Sequence, residues 1–359
     1  MILLDHCEGS PAFIDKLDAR DPYSKYVPRE DAMSNFTYIG IDVGKDDLCC
    51  SLPGIKPFFV NNDPAGIRSL LKKASALGSP DKLCFVMEST SVYSSRTAEM
   101  LLELADTWVA IVPPVCVNGF KQAGLVTTKN DVVDAIAIRE FAEAKKPAPW
   151  LPPNEAQRRL RNLEVVMDNL ARARARLKNV REKLRNEYHR DTIALASVDR
   201  MLSQLDAEFD TLQAEFDLVI AANDTLAADS AHLLSIPSIG PRVRNVVMAV
   251  IYEQLRTLSE RKLLKHCGMT PREHRSGKHK GRTLMSKAGD GRVRGVLHMA
   301  ALTAIRKGGL MFEYYQKQKA AGKPSKVAIV NVMRRLLYII QGVVRSNAPF
   351  DMDIFLARS

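Results

Sequence analysis

The stretch Phe36-Thr-Tyr-Ile-Gly-Ile-Asp-Val-Gly-Lys45 decides how the first part of this 359-residue chain folds. It predicts a buried β-strand that ends at a tight turn at Gly44, and Leu48-Cys-Cys-Ser-Leu52 predicts a second strand that returns antiparallel. Asp42 interrupts the apolar run of the first strand. Because an ionised carboxylate is costly to bury without a partner, Asp42 either accepts backbone N–H bonds or binds a cation.

Strands and helices alternate after this opening pair. The pattern predicts three leading strands, then a helix, a strand, a helix, a strand and a helix, at about 36–43, 46–52, 57–60, 64–77, 82–87, 92–105, 108–112 and 131–144. A meander of three strands followed by alternating strands and helices is the order of the RNase H-like α/β fold. We therefore expect an RNase H-like domain over 36–150, preceded by a lead-in at 1–35 that we expect to be partly disordered.

The second half of the chain is predicted to be helical. The segment 147–153 is rich in proline, which predicts a linker between domains. Apolar residues at heptad spacing then predict an antiparallel coiled-coil hairpin over 151–225 and, after it, a mostly α-helical domain over 226–350. The first arm of the hairpin is rich in Arg and Lys and the second in Asp and Glu. The arms could therefore pair within one chain or between two chains.

The charge of the chain indicates a polyanionic partner. The formal net charge is +11 and the pI is near 9.3. Two segments are expected to contact phosphates: a Pro-x-x-Gly hairpin, whose glycine would let the backbone approach a phosphate, and the segment 272–294, which is rich in basic residues. The residues expected to contact nucleic acid are Gly240, Arg242, Arg272, Arg275, Lys278, Lys280, Arg282, Lys287, Arg292 and Arg294. The apolar runs are too short to predict a membrane span, so we expect no membrane partner and a cytoplasmic location.

Four acidic residues lie where the predicted fold would bring them together. Asp42 is on the first strand, Glu88 ends a middle strand, and Asp131 and Asp134 open the last helix of the domain. Asp131 and Asp134 could instead be ordinary first-turn acids that favour the helix dipole. If the four converge, their charges repel unless divalent cations neutralise them, and hard oxygen ligands select Mg²⁺ or Mn²⁺. Two such ions about 4 Å apart support phosphoryl transfer.

At these positions the sequence resembles the DEDD transposases of the insertion-sequence one-hundred-and-ten family, which are related to Piv-type invertases. The resemblance rests on the order and spacing of several short motifs between about residues 36 and 345. They are Gly40-Ile-Asp42-Val-Gly44-Lys45, Glu88-Ser-Thr, Lys129-Asn-Asp131-Val-Val-Asp134-Ala135, Ile236-Pro-Ser-Ile-Gly240, Gly268-Met-Thr-Pro271, Arg275-Ser276-Gly277 and Ser286-Lys-Ala-Gly-Asp-Gly-Arg-Val-Arg294.

The resemblance implies a RuvC-like first domain and a C-terminal transposase domain. It implies that Asp42, Glu88, Asp131 and Asp134 are catalytic residues that bind Mg²⁺ or Mn²⁺, with two ions expected. It also implies that Ser276 attacks DNA and forms a covalent phosphoserine. The implied partners are donor and target DNA, a guide (bridge) non-coding RNA and further copies of the chain, as a dimer or tetramer.

Other interpretations fit the residues as well. In a RuvC-type endonuclease or junction resolvase the acids would activate water, and Ser276 would only contact a phosphate. In a non-catalytic RNA-binding scaffold the acids would be helix caps and the basic loops would bind RNA. A serine hydroxyl is a weak nucleophile until it is deprotonated, and the basic neighbours of Ser276 cannot act as its base. Ser286 is a second candidate for the nucleophile, although a helix cap would also explain it.

Overall fold

The computed structural model describes residues 36–89, 91–125, 128, 130–272, 275–276, 279–280 and 283–357. The expectation for the lead-in at 1–35 lies outside these residues. The chain divides into two compact units, Met1–Pro152 and Pro153–Ser359. The finer division into four segments stays a prediction.

The first unit is built on one mixed five-stranded sheet. Its strands are β1 (Thr37–Val43), β2 (Asp47–Ser51), β3 (Phe58–Asn61), β4 (Leu83–Glu88) and β5 (Trp108–Val112), in the order β3-β2-β1-β4-β5. The leading three strands pair antiparallel, whereas β1, β4 and β5 run parallel. The predicted meander and the crossover strands are confirmed.

Helices cover both faces of this sheet. They are α1 (Pro64–Ala74), α2 (Ser91–Leu104), α3 (Pro114–Ala123) and α4 (Asp131–Lys145), with short 3₁₀ turns at Ser75–Leu77 and Pro80–Lys82. The sequence pattern predicts all of these helices except α3, which lies between the predicted strand at 108–112 and the predicted helix at 131–144. Proline is common at the first position of a helix, where its missing N–H would have no intrahelical partner, and Pro114 occupies that position in α3.

Alternation along the strands separates two hydrophobic cores. Ile39, Ile41, Phe85 and Met87 pack into one core, which also contains residues of α1 and α2. Side chains at the intervening positions of β1 and β4 form a second core with residues of α3 and α4: Tyr38, Cys84 and Val86 pack with Val117, Ala137, Ile138 and Phe141. Because successive side chains of a strand point to opposite faces, every even-numbered residue of β1 and β4 faces the α4 side.

The second unit is mostly helical. Its helices are α5 (Glu155–Arg185), α6 (Thr192–Ala221), α7 (Asp224–Leu234), α8 (Pro241–Val246), a π-helix (Val247–Ile251), α9 (Tyr252–Thr257), α10 (Glu260–His266), α11 (Gly291–Ala304), α12 (Phe312–Ala320), α13 (Ser325–Ser346) and α14 (Met352–Ala357). Short strands pair as β6 (Pro271–Arg272) with β9 (Leu284–Met285), and β7 (Arg275–Ser276) with β8 (His279–Lys280).

The helices α5 and α6 form an antiparallel hairpin. Arg174 lies 2.6 Å from Asp206, and Arg181 lies 3.4 Å from Asp199, so basic residues of the first arm pair with acidic residues of the second within one chain. The paired positions advance along α5 as they go back along α6, which shows that the two helices are antiparallel. A supercoiled, coiled-coil geometry stays a prediction.

Helix α13 is long and apolar enough to cross a membrane by length and composition. Half of its most apolar stretch is buried, and Val332, Leu336, Leu337 and Ile340 belong to the core of the second unit. The core helix of a globular unit has the same composition, so α13 gives little support to a membrane span.

Candidate metal centre

The register of the sheet places Asp42 beside Glu88. The parallel pairing of β1 with β4 matches Gly40 to Val86 and Ile41 to Met87, so the next matched positions are Asp42 and Glu88. Both residues are even-numbered and therefore face the α4 side of the sheet. Both are partly exposed near the carboxyl ends of their strands, and the four residues before Asp42 on β1 are buried. This edge is the usual location of sites in sheets with parallel strands.

Gly40 lets helix α4 lie directly on β1, two residues before Asp42. A Cβ atom at Gly40 would be 2.2 Å from the carbonyl oxygen of Ala135 and 2.6 Å from the backbone nitrogen of Arg139. The guanidinium Nε of Arg139 also donates to Ser51 Oγ on β2 at 3.1 Å. These contacts fix α4 against β1 and β2, and with it the two acids of its first turn.

Asn130 caps α4, so the two acids are not needed for that purpose. The side chain of Asn130 accepts a hydrogen bond from the backbone N–H of Val133 at 2.8 Å. Asp131 is the first residue of the helix and is exposed, while Asp134 is partly buried. Their position still favours the helix dipole, but the capping bond that would explain an acid here is made by Asn130.

Three of the four acids interact electrostatically, because the charges of Asp131 and Asp134 act on Asp42. The pKa of Asp42 is raised to about 6, first by burial and then by the charges of Asp134 and Asp131. A backbone hydrogen bond from Val43 and the charge of Lys121 oppose the shift without cancelling it. Cys49, which is paired with Asp42 across β1 and β2, responds similarly: burial and then Asp42 and Asp131 raise its thiol pKa to about 11.

Lys121 of α3 was not anticipated from the sequence. Its Nζ lies 2.5 Å from Asp134 Oδ1, and the two side chains are 13% and 18% exposed. The signal that could have found it is the proline at the first position of α3, since a helix from Pro114 carries Lys121 in its last turn.

The donor set suits a hard divalent cation. Carboxylate oxygens at one sheet edge are the ligands that Mg²⁺ or Mn²⁺ prefers. Burial and then repulsion from Asp134 and Asp131 raise the pKa of Asp42, and a bound cation would relieve this repulsion. Among the described residues, however, no group of three or more potential ligands has the spacing of a formed metal site. Asp134 is held by Lys121 in this arrangement.

Ser276 lies in the second unit, on the two-residue strand β7. Its backbone pairs with His279 of β8. Its side chain, and those of Arg275 and Lys280, lie outside the described part of the chain, as do the whole residues Lys278 and Arg282. The alternative Ser286 accepts a long hydrogen bond of 3.4 Å from the backbone N–H of Ala288, while Asp290 provides the side-chain cap of α11.

The described basic residues differ in whether their charge is free for a ligand. Arg272 and Lys287 are exposed. In contrast, Arg292 forms an ion pair with Asp290 at 2.7 Å, and Arg294 donates to the carbonyl oxygens of Cys267 and Gly289. Gly240 begins α8 with open space around it.

Arg242 is part of an ion-pair network inside the second unit. Its guanidinium lies 2.6 Å from Glu164, whose side chain is fully buried, and 3.3 Å from Asp168. Burial raises the pKa of Glu164 even though Arg242 opposes the shift. This buried acid could not be recognised from the sequence, because a glutamate on a charged helix usually faces solvent. That Arg242 contacts DNA stays a prediction. Its ion pairs with Glu164 and Asp168 would compete with such a contact.

Comparisons with known proteins match two parts of the chain to transposase families. A model of DEDD transposases matches residues 39–189, and a model described as "Transposase IS116/IS110/IS902 family" matches residues 230–316. Two proteins named pilin gene-inverting protein, from Moraxella lacunata and Moraxella bovis, are 26% and 25% identical over 328 residues. In both cases the alignment covers 89% of this chain and 98% of the relative.

Carboxylates at the ends of parallel strands are suited to an enzyme that acts on phosphodiesters with divalent cations. The chain belongs to the IS110 family of DEDD transposases, to which the Piv-type inverting proteins are similar. It is accordingly a DNA transposase or recombinase. The DEDD domain implies a general dependence on divalent metal.

Proposed function

We propose that this chain is an RNA-guided DNA recombinase that excises and inserts its own mobile element. Its first unit would be an RNase H-like (RuvC-like) domain that holds two divalent cations, Mg²⁺ or Mn²⁺, with Asp42, Glu88, Asp131 and Asp134. Ser276 would be the nucleophile. The strand order β3-β2-β1-β4-β5 supports the fold assignment, because a meander of three strands extended by two parallel strands is the RNase H-like order.

One observation carries the proposal: α4 lies directly on β1 at Gly40, two residues before Asp42, and burial followed by the charges of Asp134 and Asp131 raises the pKa of Asp42. Acids from a strand and a helix that are about ninety residues apart in sequence share one site, which a structural role does not require. The register that sets Glu88 beside Asp42 adds the fourth acid to the same face.

The acids would hold the metal, and the serine would carry the covalent chemistry. When bound, two divalent cations would withdraw charge from the scissile phosphate and stabilise the attacking and leaving oxygens. The Oγ atom of Ser276 would attack phosphorus and lose its proton to water. The bond from phosphorus to one deoxyribose oxygen would break, and that oxygen would leave as a hydroxyl after taking up a proton.

Nucleic acid would bind through exposed basic residues. Arg272 and Lys287 flank the segment that contains Ser276, and their side chains face solvent. A guide RNA would supply sequence recognition by base pairing, as in other RNA-guided systems, while these cations contact phosphates. The net charge of +11 supports a large polyanionic partner of this kind. The protein would act in the bacterial cytoplasm as a dimer or tetramer, and the hairpin of α5 and α6 would contribute to its assembly.

The metal site is tested with the variant Asp42→Asn. The amide keeps the shape of the side chain but removes its charge and weakens it as a ligand. We expect recombination and Mn²⁺ binding to be lost together. The matched control is Asp81→Asn, an exposed acid in the 3₁₀ turn before β4. Full recombination by Asp42→Asn would disprove the metal site.

The nucleophile is tested by trapping nicked DNA and searching for a protein–DNA adduct by denaturing electrophoresis and mass spectrometry. We expect an adduct at Ser276 that the variant Ser276→Ala does not form, while Ser286→Ala forms it normally. An adduct that persists in Ser276→Ala would exclude this residue. Metal-dependent cleavage without any adduct would instead favour a RuvC-type endonuclease that activates water.

A further inference from the structure

The ion pair between Lys121 and Asp134 differs from the surface ion pairs of the first unit. The Nζ–Oδ1 distance is 2.5 Å, and less than a fifth of each side chain is exposed. By comparison, the pair between Arg139 and Glu143 on α4 has a carboxylate that is 42% exposed. A pair that is shielded from water interacts more strongly, because solvent screens it less.

Packing fixes the position of Lys121. Helix α3 begins at Pro114 and buries Cys116 and Val117 in the core beneath α4. Phe120, the residue before Lys121, packs edge-on against Phe141 of α4, with ring centroids 5.8 Å apart. The lysine therefore approaches Asp134 from a helix whose preceding residues are packed against the core and α4, so the contact is built into the fold.

The charge of Lys121 acts on the whole carboxylate group. It lies against Asp134 directly, and it also favours the ionised form of Asp42. Three acids near one another need positive charge to stay ionised together. A divalent cation would supply that charge at the same oxygen atoms, so the cation and the ammonium would compete for Asp134.

We propose that Lys121 is a resident counter-ion of the carboxylate site, which holds Asp134 in the absence of metal and is displaced when a divalent cation binds. The inference rests on the proposed metal site and adds a positioning residue to it. Lys121 would also set the metal affinity, since binding must break its ion pair.

The first test measures Mn²⁺ binding to the full chain without DNA, by electron paramagnetic resonance. The variant Lys121→Met keeps the aliphatic part of the side chain and removes the charge. We expect it to bind Mn²⁺ about fivefold to tenfold more tightly than the wild type, because the competing pair is gone. The matched control, Lys72→Met, removes an exposed charge on α1, which packs on the other face of the sheet, and should leave the affinity unchanged.

The second test needs no variant and separates displacement from a general effect of charge. Lysines of the wild type are labelled with an amine-reactive acetylating reagent and quantified by mass spectrometry, with and without saturating Mn²⁺. We expect Lys121 to react slowly without metal and several times faster with it, because the ammonium leaves Asp134. Lys72 should react equally in both conditions.

The outcomes distinguish this inference from the proposed function. If Asp42→Asn abolishes Mn²⁺ binding while Lys121 stays protected with metal bound, the metal site stands and the counter-ion role is wrong. Unchanged or weaker affinity in Lys121→Met would also contradict it. Mn²⁺ binding that Asp42→Asn does not weaken would overturn both the site and the role of Lys121.

Discussion

The contact of α4 with Gly40 predicts that one added methyl group damages both the fold and the site. In Gly40→Ala the new Cβ would be 2.2 Å from the carbonyl oxygen of Ala135, which is backbone and cannot rotate away. The shortest ordinary contact of these atoms is about 3.2 Å, so α4 must withdraw by about 1 Å. A gap of this size forfeits about a quarter to a half of the dispersion energy between the packed surfaces.

We expect Gly40→Ala to lower the free energy of unfolding by about 1–3 kcal/mol, the usual cost of overpacking a core. The melting temperature of the first unit should fall by about 5–10 °C. Because α4 carries Asp131 and Asp134, its displacement should also weaken Mn²⁺ binding by about tenfold or more. Thermal unfolding followed by circular dichroism and Mn²⁺ titration of the same sample measure both effects.

The matched control is Gly119→Ala on α3, where the added Cβ meets no atom within 4 Å. Since alanine favours a helix over glycine by about 1 kcal/mol, this variant should be as stable as the wild type or slightly more stable. If Gly40→Ala melts at the wild-type temperature and binds Mn²⁺ normally, the close contact of α4 with β1 does not hold the acids in place, and the reasoning fails.

Three other predictions concern charged and polar side chains. Because the folded-state pKa of Asp42 is about 6 and its unfolded value is about 3.9, stability measured in EDTA should fall as the pH rises from about 4 through 6, and Asp42→Asn should flatten this part of the profile. Arg242→Gln should lower the free energy of unfolding by about 3 kcal/mol, because buried Glu164 loses its partner, whereas Arg272→Gln should weaken DNA binding at an unchanged melting temperature. Gln157→Ala should cost about 1–3 kcal/mol in denaturant unfolding, because the side-chain amide donates to two carbonyl oxygens of the π-helix at 2.8 and 3.1 Å.

Periodicity predicted most of the first unit, because its strands are short buried runs with turn residues between them. The sequence also allows a prediction that Asp42 and Glu88 face the same side of the sheet, since alternation fixes the face of each residue once the strands pair in register. The placement of α4 was not readable. It depends on the absence of a side chain at Gly40, and a glycine inside a strand pattern indicates close approach without naming the partner.

Buried charges in the second unit could not be predicted from the sequence either. The heptad pattern located α5 and α6, and the opposite charges of the two arms do pair. Helix α5 also carries Glu164, whose side chain is fully buried against Arg242. A pattern of apolar residues cannot reveal a polar side chain that becomes buried only because a distant segment covers it with a matching charge.

Two aspartates of this chain show how a structural acid differs from one kept for a ligand. Asp290 caps α11, and bonds from the side chain and backbone of Arg292 lower its pKa despite partial burial. Asp42 has the opposite shift: burial and neighbouring acids raise its pKa, and the backbone N–H of Val43 does not compensate. Asp290 is stabilised in its charged form by Arg292, and Glu164, whose pKa burial raises, has the ion-pair partner Arg242. Because Asp42 is destabilised in its charged form, its position makes physical sense when a cation from solution completes the site, and this favours metal binding over a structural role.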